Sequence, residues 1–320
     1  MDRSLFVGVD LGATNLRAVV GDADAELARA DRRTPQGPTG DEVTEAVLDC
    51  VRRACERAGV APAGVDAAGI ASMGPLDRAA GAVVAPPNVP VDRIDLVDPL
   101  RSLLGTQRVT LRNDAVAGVV GERALGGAPP DAVYLTLSTG IGAGASVDGH
   151  VLSGHRGNAA EVGHVVVDAD GRLTCGCGGP GHWEAYCSGS GIPRLAALLA
   201  EETDLSTSLP VEDGTLDAAT VFARADQDPL ARRTIAAVTR RNVVGLVATI
   251  HAFAPEAVRV GGAVALENAE RLLPPLRERL PAHLVADVPS IELAELGADA
   301  PLLGALTCAR RAVGDASTGG

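Results

Sequence analysis

The chain contains no lysine: all 28 of its basic residues are arginine, set against 41 aspartates and glutamates for a formal net charge of −13. That absence excludes every chemistry built on an ε-ammonium. A P-loop NTPase lysine, the ATP lysine of a protein kinase and a Schiff-base lysine are all ruled out. The acidic balance leaves no basic stripe to displace counterions from double-stranded nucleic acid. Aromatics are almost as scarce, with three Phe, two Tyr and one Trp, too few for a base-stacking platform. No apolar run approaches the roughly 20 residues of a membrane span. Strand-like sequence begins at Ser4, so neither a signal peptide nor an appended DNA-reading module is expected. The expectation is a soluble, cytoplasmic protein without nucleic-acid or membrane partners. At 320 residues and 46% hydrophobic, it is long enough for one large or two medium domains.

Six cysteines are unevenly placed, which fits metal or core roles in a reducing compartment better than a disulfide framework. Cys50 and Cys55 fall in a helical pattern with Val43, Val47, Val51 and Ala54, and Cys308 falls in another; these are predicted to pack. The remaining three lie between Ser153 and Ser188, a glycine-rich stretch that also carries His155, Glu161, His164, His182 and Glu184. Cys175-x-Cys177-x4-His182 supplies soft or borderline donors, and Glu161-Val-Gly-His164 sets a carboxylate three residues from an imidazole. Thiolate and imidazole suit a closed tetrahedral zinc site, which can fix a loop that has no core. The plain alternative is a glycine-rich surface loop with incidental cysteines.

Along the chain, Leu5 to Val9 is a nearly continuous apolar run, typical of a strand buried on both faces. It ends in Asp10-Leu-Gly12-Ala-Thr14-Asn15, and the apolar pattern resumes over Leu16 to Val20. Successive N–H groups in such a hairpin turn make a nest for phosphate oxygens, and Asp10 could hold Mg²⁺ through water. It is equally an ordinary polar turn. Asp41 to Arg57 predicts an amphipathic helix, Ala67 to Ala71 a strand, and Pro86 to Pro90 a stiff segment whose Asn88 faces a ligand or only orders the turn. A strand over 109–112 delivers Asn113-Asp114 to a helix over 115–125. Asp114 there reads as an N-cap, as a general base at the C-terminal end of a parallel strand, or as both. A second strand–turn–strand unit follows: a strand over 132–138, the run Thr139-Gly140-Ile-Gly142-Ala-Gly144, a strand over 145–147, and Asp148-Gly149 as a hairpin turn. Helices are predicted over 194–201, 216–224, 232–253 and 300–313, with strands over 257–260 and 291–296. Gly261-Gly262, at a strand–helix junction, would let a nucleotide lie against backbone.

These motifs, in this order, resemble the ROK family of sugar kinases and repressors. The match is carried by Asp10-Leu-Gly12-Ala-Thr14-Asn15-Leu-Arg17, Asn113-Asp114, Leu137-Ser-Thr139-Gly140-Ile-Gly142-Ala-Gly144, Ala160-Glu161-Val-Gly163-His164 and Cys175-Gly-Cys177-Gly-x-x-Gly181-His182-x-Glu184. The resemblance implies an α/β, two-lobed, actin-like and ribonuclease-H-like ATPase fold with a zinc-bearing loop. Residues 1–115 with 300–320 would form the smaller lobe and 116–299 the larger.

It also implies ATP with Mg²⁺ and a structural Zn²⁺ as cofactors. Asp10, Gly12, Thr14 and Asn15 would form one nucleotide-binding turn, Thr139, Gly140 and Gly142 another, with Gly261 and Gly262 on the adenosine side. Asp114 would be the catalytic base toward the 6-hydroxyl of a hexose, glucose first. Asn88, Asn113, Asp114, Glu161, His164 and Glu184 would contact sugar hydroxyls. Zinc would be held by His164, Cys175, Cys177 and His182, the last standing where the family has a third cysteine, with Cys187 as the competing ligand. In the absence of lysine, Arg17 is a candidate for charge on the transferring phosphoryl group. An N-acetylhexosamine kinase, a fructokinase and a non-catalytic sugar-sensing regulator are the alternatives. A homodimer or homotetramer is expected.

Overall fold

The computed structural model describes residues 3–285 and 287–314; the tail at Thr318 lies outside the described residues. The chain divides into two compact units, one of Met1–Ala128, Val151–Ala159 and Asp299–Gly320, the other of Pro129–His150 and Ala160–Ala298.

In the first unit, β1 (Phe6–Leu11) is buried at all six positions, as its unbroken apolar run requires. β2 (Asn15–Gly21) returns antiparallel to it and sets Arg17 opposite Asp10. β3 (Glu26–Arg33) pairs antiparallel with β2; its five charged residues hide it from an apolar pattern, and an edge strand tolerates them. α1 (Gly40–Ala58) buries Val43, Val47, Cys50, Val51 and Ala54 on one stripe and closes at Gly59. β4 (Ala67–Ser72) lies parallel to β1.

Where the sequence pattern points only to turns and a stiff proline segment, a small antiparallel sheet forms instead, from β5 (Leu76–Asp77), β6 (Ala82–Val84) and β7 (Arg93–Asp95). α2 (Val97–Leu104), β8 (Val109–Asn113) and α3 (Asp114–Ala124) follow. The main sheet runs β3-β2-β1-β4-β8, with β4 and β8 parallel.

The second unit begins with β9 (Ala132–Leu137) and β10 (Ile141–Val147), an antiparallel pair. The glycine run expected to turn as far as Gly144 turns only at residues 138–140; Gly142 already sits in β10, opposite Thr136. The Asp148-Gly149 turn, both residues at positive φ, leads to β11 (His150–Val151). After an irregular segment come α4 (Glu184–Cys187), α5 (Gly191–Glu202), α6 (Ala218–Arg224) and the long α7 (Pro229–Phe253). β12 (Ala257–Gly261), α8 (Ala263–Glu267), α9 (Ala269–Arg279) and β13 (Ser290–Leu293) complete it. The sheet order is β11-β10-β9-β12-β13, with β12 parallel to β9 and β13. Both sheets thus repeat one plan, three strands folded back and forth and then two parallel ones, which is the ribonuclease-H-like arrangement that the family resemblance implies.

The chain returns to the first unit as α10 (Ala300–Gly314). Leu302, Leu306 and Ala309 pack on Phe6, Val19 and Ala67, each large aliphatic contributing roughly 1.5–3 kcal/mol on burial. α10 meets α3 through small residues: a Cβ on Gly304 would run into the Ala117 carbonyl. This contact keeps α3 with the first unit, so the break falls after Ala128, later than the 115 expected from the sequence. Among the described residues, no helix is long and apolar enough to cross a membrane.

Candidate active site

The turn joining β1 to β2 is built from both ends. Asp10, 8% exposed at the end of β1, accepts from Arg17 Nε and Nη2 at 3.1 and 2.6 Å. Burial raises the Asp10 pKa, and the guanidinium opposes it. Arg17 Nη1 donates to Asp299 Oδ1 at 2.7 Å. Arg17 is therefore held by two carboxylates, which is a different post from the phosphoryl contact considered for it.

The Gly12 N–H closes the turn on the Asn15 carbonyl at 2.9 Å. The carbonyls of Gly12, Ala13 and Thr14 are taken by Thr34 Oγ1, Gln36 Nε2 and the Thr34 N–H. The N–H groups of Ala13 and Thr14 find no partner among the described residues, which is the donor arrangement of an anion nest. The Asn15 side chain is engaged by Arg33.

At the β8–α3 junction, the cap is Asn113 and not Asp114. Asn113 Oδ1 accepts from the Ala115 N–H at 2.9 Å and from the Val116 N–H at 3.4 Å, satisfying helix donors that lack an internal partner. Asp114 is the first helical residue, and its Oδ1 accepts from the Ala115 N–H at 2.8 Å. Asn88 is exposed in the turn between β6 and β7.

In the second unit, the β9–β10 turn carries Thr139 and Gly140. The Ser138 N–H bonds the Gly140 carbonyl at 2.9 Å, while the Ser138 and Thr139 carbonyls accept from the Gly189 N–H and Ser190 Oγ at 2.7 and 2.9 Å. The next amide, Ile141 N–H, donates to Glu184 Oε2 at 2.8 Å. A Cβ at 140 would stand 2.5 Å from that same oxygen, so the Glu184 carboxylate would have to shift to admit one. At the end of β12, Gly262 takes φ 86° and opens α8.

His164, Cys175, Cys177 and His182 come together, their ligand atoms all within 4.8 Å of one another. His164 Nδ1 lies 3.8 Å from Cys175 Sγ and 3.6 Å from Cys177 Sγ, and His182 Nδ1 lies 3.3 Å from Cys177 Sγ. Tetrahedral zinc with ordinary Zn–S and Zn–N bonds separates its ligands by about 3.6 Å, so the donor set fits that ion in both chemistry and spacing. Cys187, the competing ligand, is buried with its Sγ 3.6 Å from the Val238 carbonyl, in the core and away from the cluster.

Burial pushes the Cys175 thiol up to about 12 and lowers the His182 pKa. A divalent cation would reverse the first effect by stabilising the thiolate. The loop is fastened at Trp183, fully buried, whose Nε1 donates to Asn242 Oδ1 at 2.7 Å and whose backbone N–H bonds the Val165 carbonyl. His164 turns its Nε2 toward Glu161 Oε2, 3.8 Å away; burial raises the Glu161 pKa, with His164 opposing. Glu184 Oε1 lies 3.4 Å from Cys175 Sγ.

Thr34, Gln36, Ser190 and Asp299 secure these turns from distant points of the chain, and no local motif marks them.

Residues 6–312 match the ROK family. A glucokinase of Aeropyrum pernix is 40% identical over 295 residues, 88% of each chain. An N-acetylmannosamine kinase of Citrobacter koseri is 30% identical, covering 95% of this chain and 98% of its own. Among solved structures, a ROK family glucokinase from Streptomyces griseus in complex with glucose and AMPPNP superposes with a TM-score of 0.77 at 33% identity, covering 96% of this chain and 100% of that one.

Proposed function

The chain belongs to the ROK family, and on that premise we propose that it is an ATP-dependent hexokinase acting on the 6-hydroxyl of glucose. The observation that carries the reading is at the β8–α3 junction. Asn113 caps the helix, and the neighbouring carboxylate of Asp114 begins it at the C-terminal end of a parallel strand. The likeness to glucokinases supports glucose over other hexoses.

In this mechanism an Asp114 oxygen accepts the proton of the attacking hydroxyl, a step worth roughly 10²–10⁴-fold. Phosphoryl transfer otherwise needs alignment and charge stabilisation. The Ala13 and Thr14 amides, and the turn at Thr139 and Gly140, receive phosphate oxygens. Mg²⁺, when bound with the nucleotide, neutralises phosphate charge, and Asp10 is the residue we assign to it through water. Asn88, Asn113, Glu161, His164 and Glu184 are assigned to sugar hydroxyls, where the wrong epimer would leave buried polar groups unpaired. His164, Cys175, Cys177 and His182 would hold zinc, which would clamp the loop that presents three of the residues assigned to the sugar. Unpaired cysteines suit a reducing compartment, the cytoplasm, and family resemblance supports a homodimer or homotetramer.

The test is ADP release across a panel of hexoses. Glucose is expected to give the highest kcat/KM. Preference for N-acetylmannosamine would replace the sugar and keep the reaction, and ADP release with no sugar would refute the kinase reading.

A further inference from the structure

The first unit contains a cavity of about 420 Å³ that the proposed reaction does not use, bounded by the 78–81 turn, α2 and the free edge of β8. Its lining carries three guanidiniums, Arg78, Arg101 and Arg112, against one carboxylate, Asp98. In a chain with 13 more acidic than basic residues, that is a local inversion of charge. Asp98 is engaged by Arg101 Nη1 at 2.9 Å. Arg112 donates to Ser153 Oγ at 3.4 Å and also lies against the Cys308 thiol. The Nε atoms of Arg101 and Arg112 are buried with no hydrogen-bond partner among the described residues.

A buried N–H without an acceptor is costly, and a guanidinium fork matches the paired oxygens of a phosphate as it does those of a carboxylate. Thr110, on the same wall, turns its hydroxyl to the Ala68 carbonyl at 3.5 Å, so the arginines are the donors. The volume lies in the range of small-molecule pockets.

We propose that this cavity is a binding site for a small phosphate monoester or inorganic phosphate, held by Arg78 and Arg112 with Arg101 in support. Arg112 stands two residues before Asp114 on the strand that feeds α3.

Binding can be read without turnover, and so independently of the kinase assignment. The full chain is titrated calorimetrically with inorganic phosphate and, separately, with glucose 6-phosphate. Excess glucose and a non-hydrolysable ATP analogue are present throughout, to keep any reaction site filled. One anion per chain is expected. Arg78→Ser, on an exposed turn, and Arg112→Gln should each weaken binding by about tenfold or more, the scale of one lost charge-assisted pair. Asp98→Asn, which frees Arg101, should tighten it. Tighter binding of the ester identifies a sugar phosphate as the ligand, and equal binding identifies the phosphate group alone. No heat at millimolar ligand, or affinities unchanged across all three variants, would overturn the proposal. Unchanged melting temperatures in the variants guard against loss of fold as the cause.

Discussion

Glu184 accepts the backbone N–H of Ile141 through one carboxylate oxygen and turns the other toward the Cys175 thiol. One side chain thus joins the metal-type loop to the turn that carries Thr139 and Gly140. If it also binds sugar, as proposed, its two duties can be separated. Glu184→Gln keeps an acceptor for Ile141, so sugar KM should rise about tenfold with ATP KM near native. Glu184→Ala strands that amide, at roughly 1–3 kcal/mol, and should raise both. Steady-state kinetics with each substrate varied decides it; an unchanged ATP KM in the alanine variant breaks the link.

Asp114→Asn should fold normally, because Asn113 supplies the cap. Turnover should fall by about 10²–10⁴ while sugar affinity is retained, the signature of an interaction made in the transition state. Turnover within a few-fold of native would remove the base.

Metal analysis of the purified protein should find about one zinc per chain. Cys177→Ser should lose it, and Cys187→Ala should keep it, since the Cys187 sulfur faces the Val238 carbonyl. Zinc lost from the second variant and kept in the first would reverse the ligand set.

At the α3–α10 contact, Gly304→Ala places a methyl against the Ala117 carbonyl. A loss of about 1–3 kcal/mol is expected, read by denaturant unfolding under far-ultraviolet circular dichroism. A change of only a few tenths would mean the two helices separate freely.

Asp228 caps α7 and accepts from the Ser208 N–H at 2.6 Å and the Ala231 N–H at 2.9 Å. Burial pushes its carboxyl up, but those bonds and the Thr207 and Ser208 hydroxyls outweigh it, leaving the pKa below the ordinary value. A depressed carboxyl stabilises the fold above its unfolded pKa of about 3.9 and loses that contribution as pH falls through the folded value. Asp228→Asn should therefore cost about 1 kcal/mol near neutrality, the difference between a charged and a neutral acceptor, and converge with the native protein at strongly acid pH. Melting curves from neutral to acid conditions test this, and a constant offset would refute it.

The sequence shows β1 because six consecutive buried positions are nearly all apolar, and α7 because its buried residues recur along one stripe. β3 and the β5–β7 sheet are illegible for opposite reasons: the first is charged at the sheet edge, and the others are two or three residues long. Asn113 and Asp114 are equally good caps on paper; only the helix phase assigns the role. The donors His164, Cys175, Cys177 and His182 were readable as a set, yet choosing His182 over Cys187 needed the direction in which each side chain leaves the chain. The partnership of Arg17 with Asp299 spans 282 residues, a separation across which no local pattern carries information.

Trp183 is the only tryptophan, and both tyrosines, Tyr134 and Tyr186, belong to the same unit. Near-ultraviolet absorption and intrinsic emission therefore come from one half of the protein, and Phe6 leaves the other optically quiet. Unfolding curves read by intrinsic fluorescence or near-ultraviolet absorption will follow that half by itself, and backbone circular dichroism, a dye or an introduced indole will be needed to watch its counterpart melt.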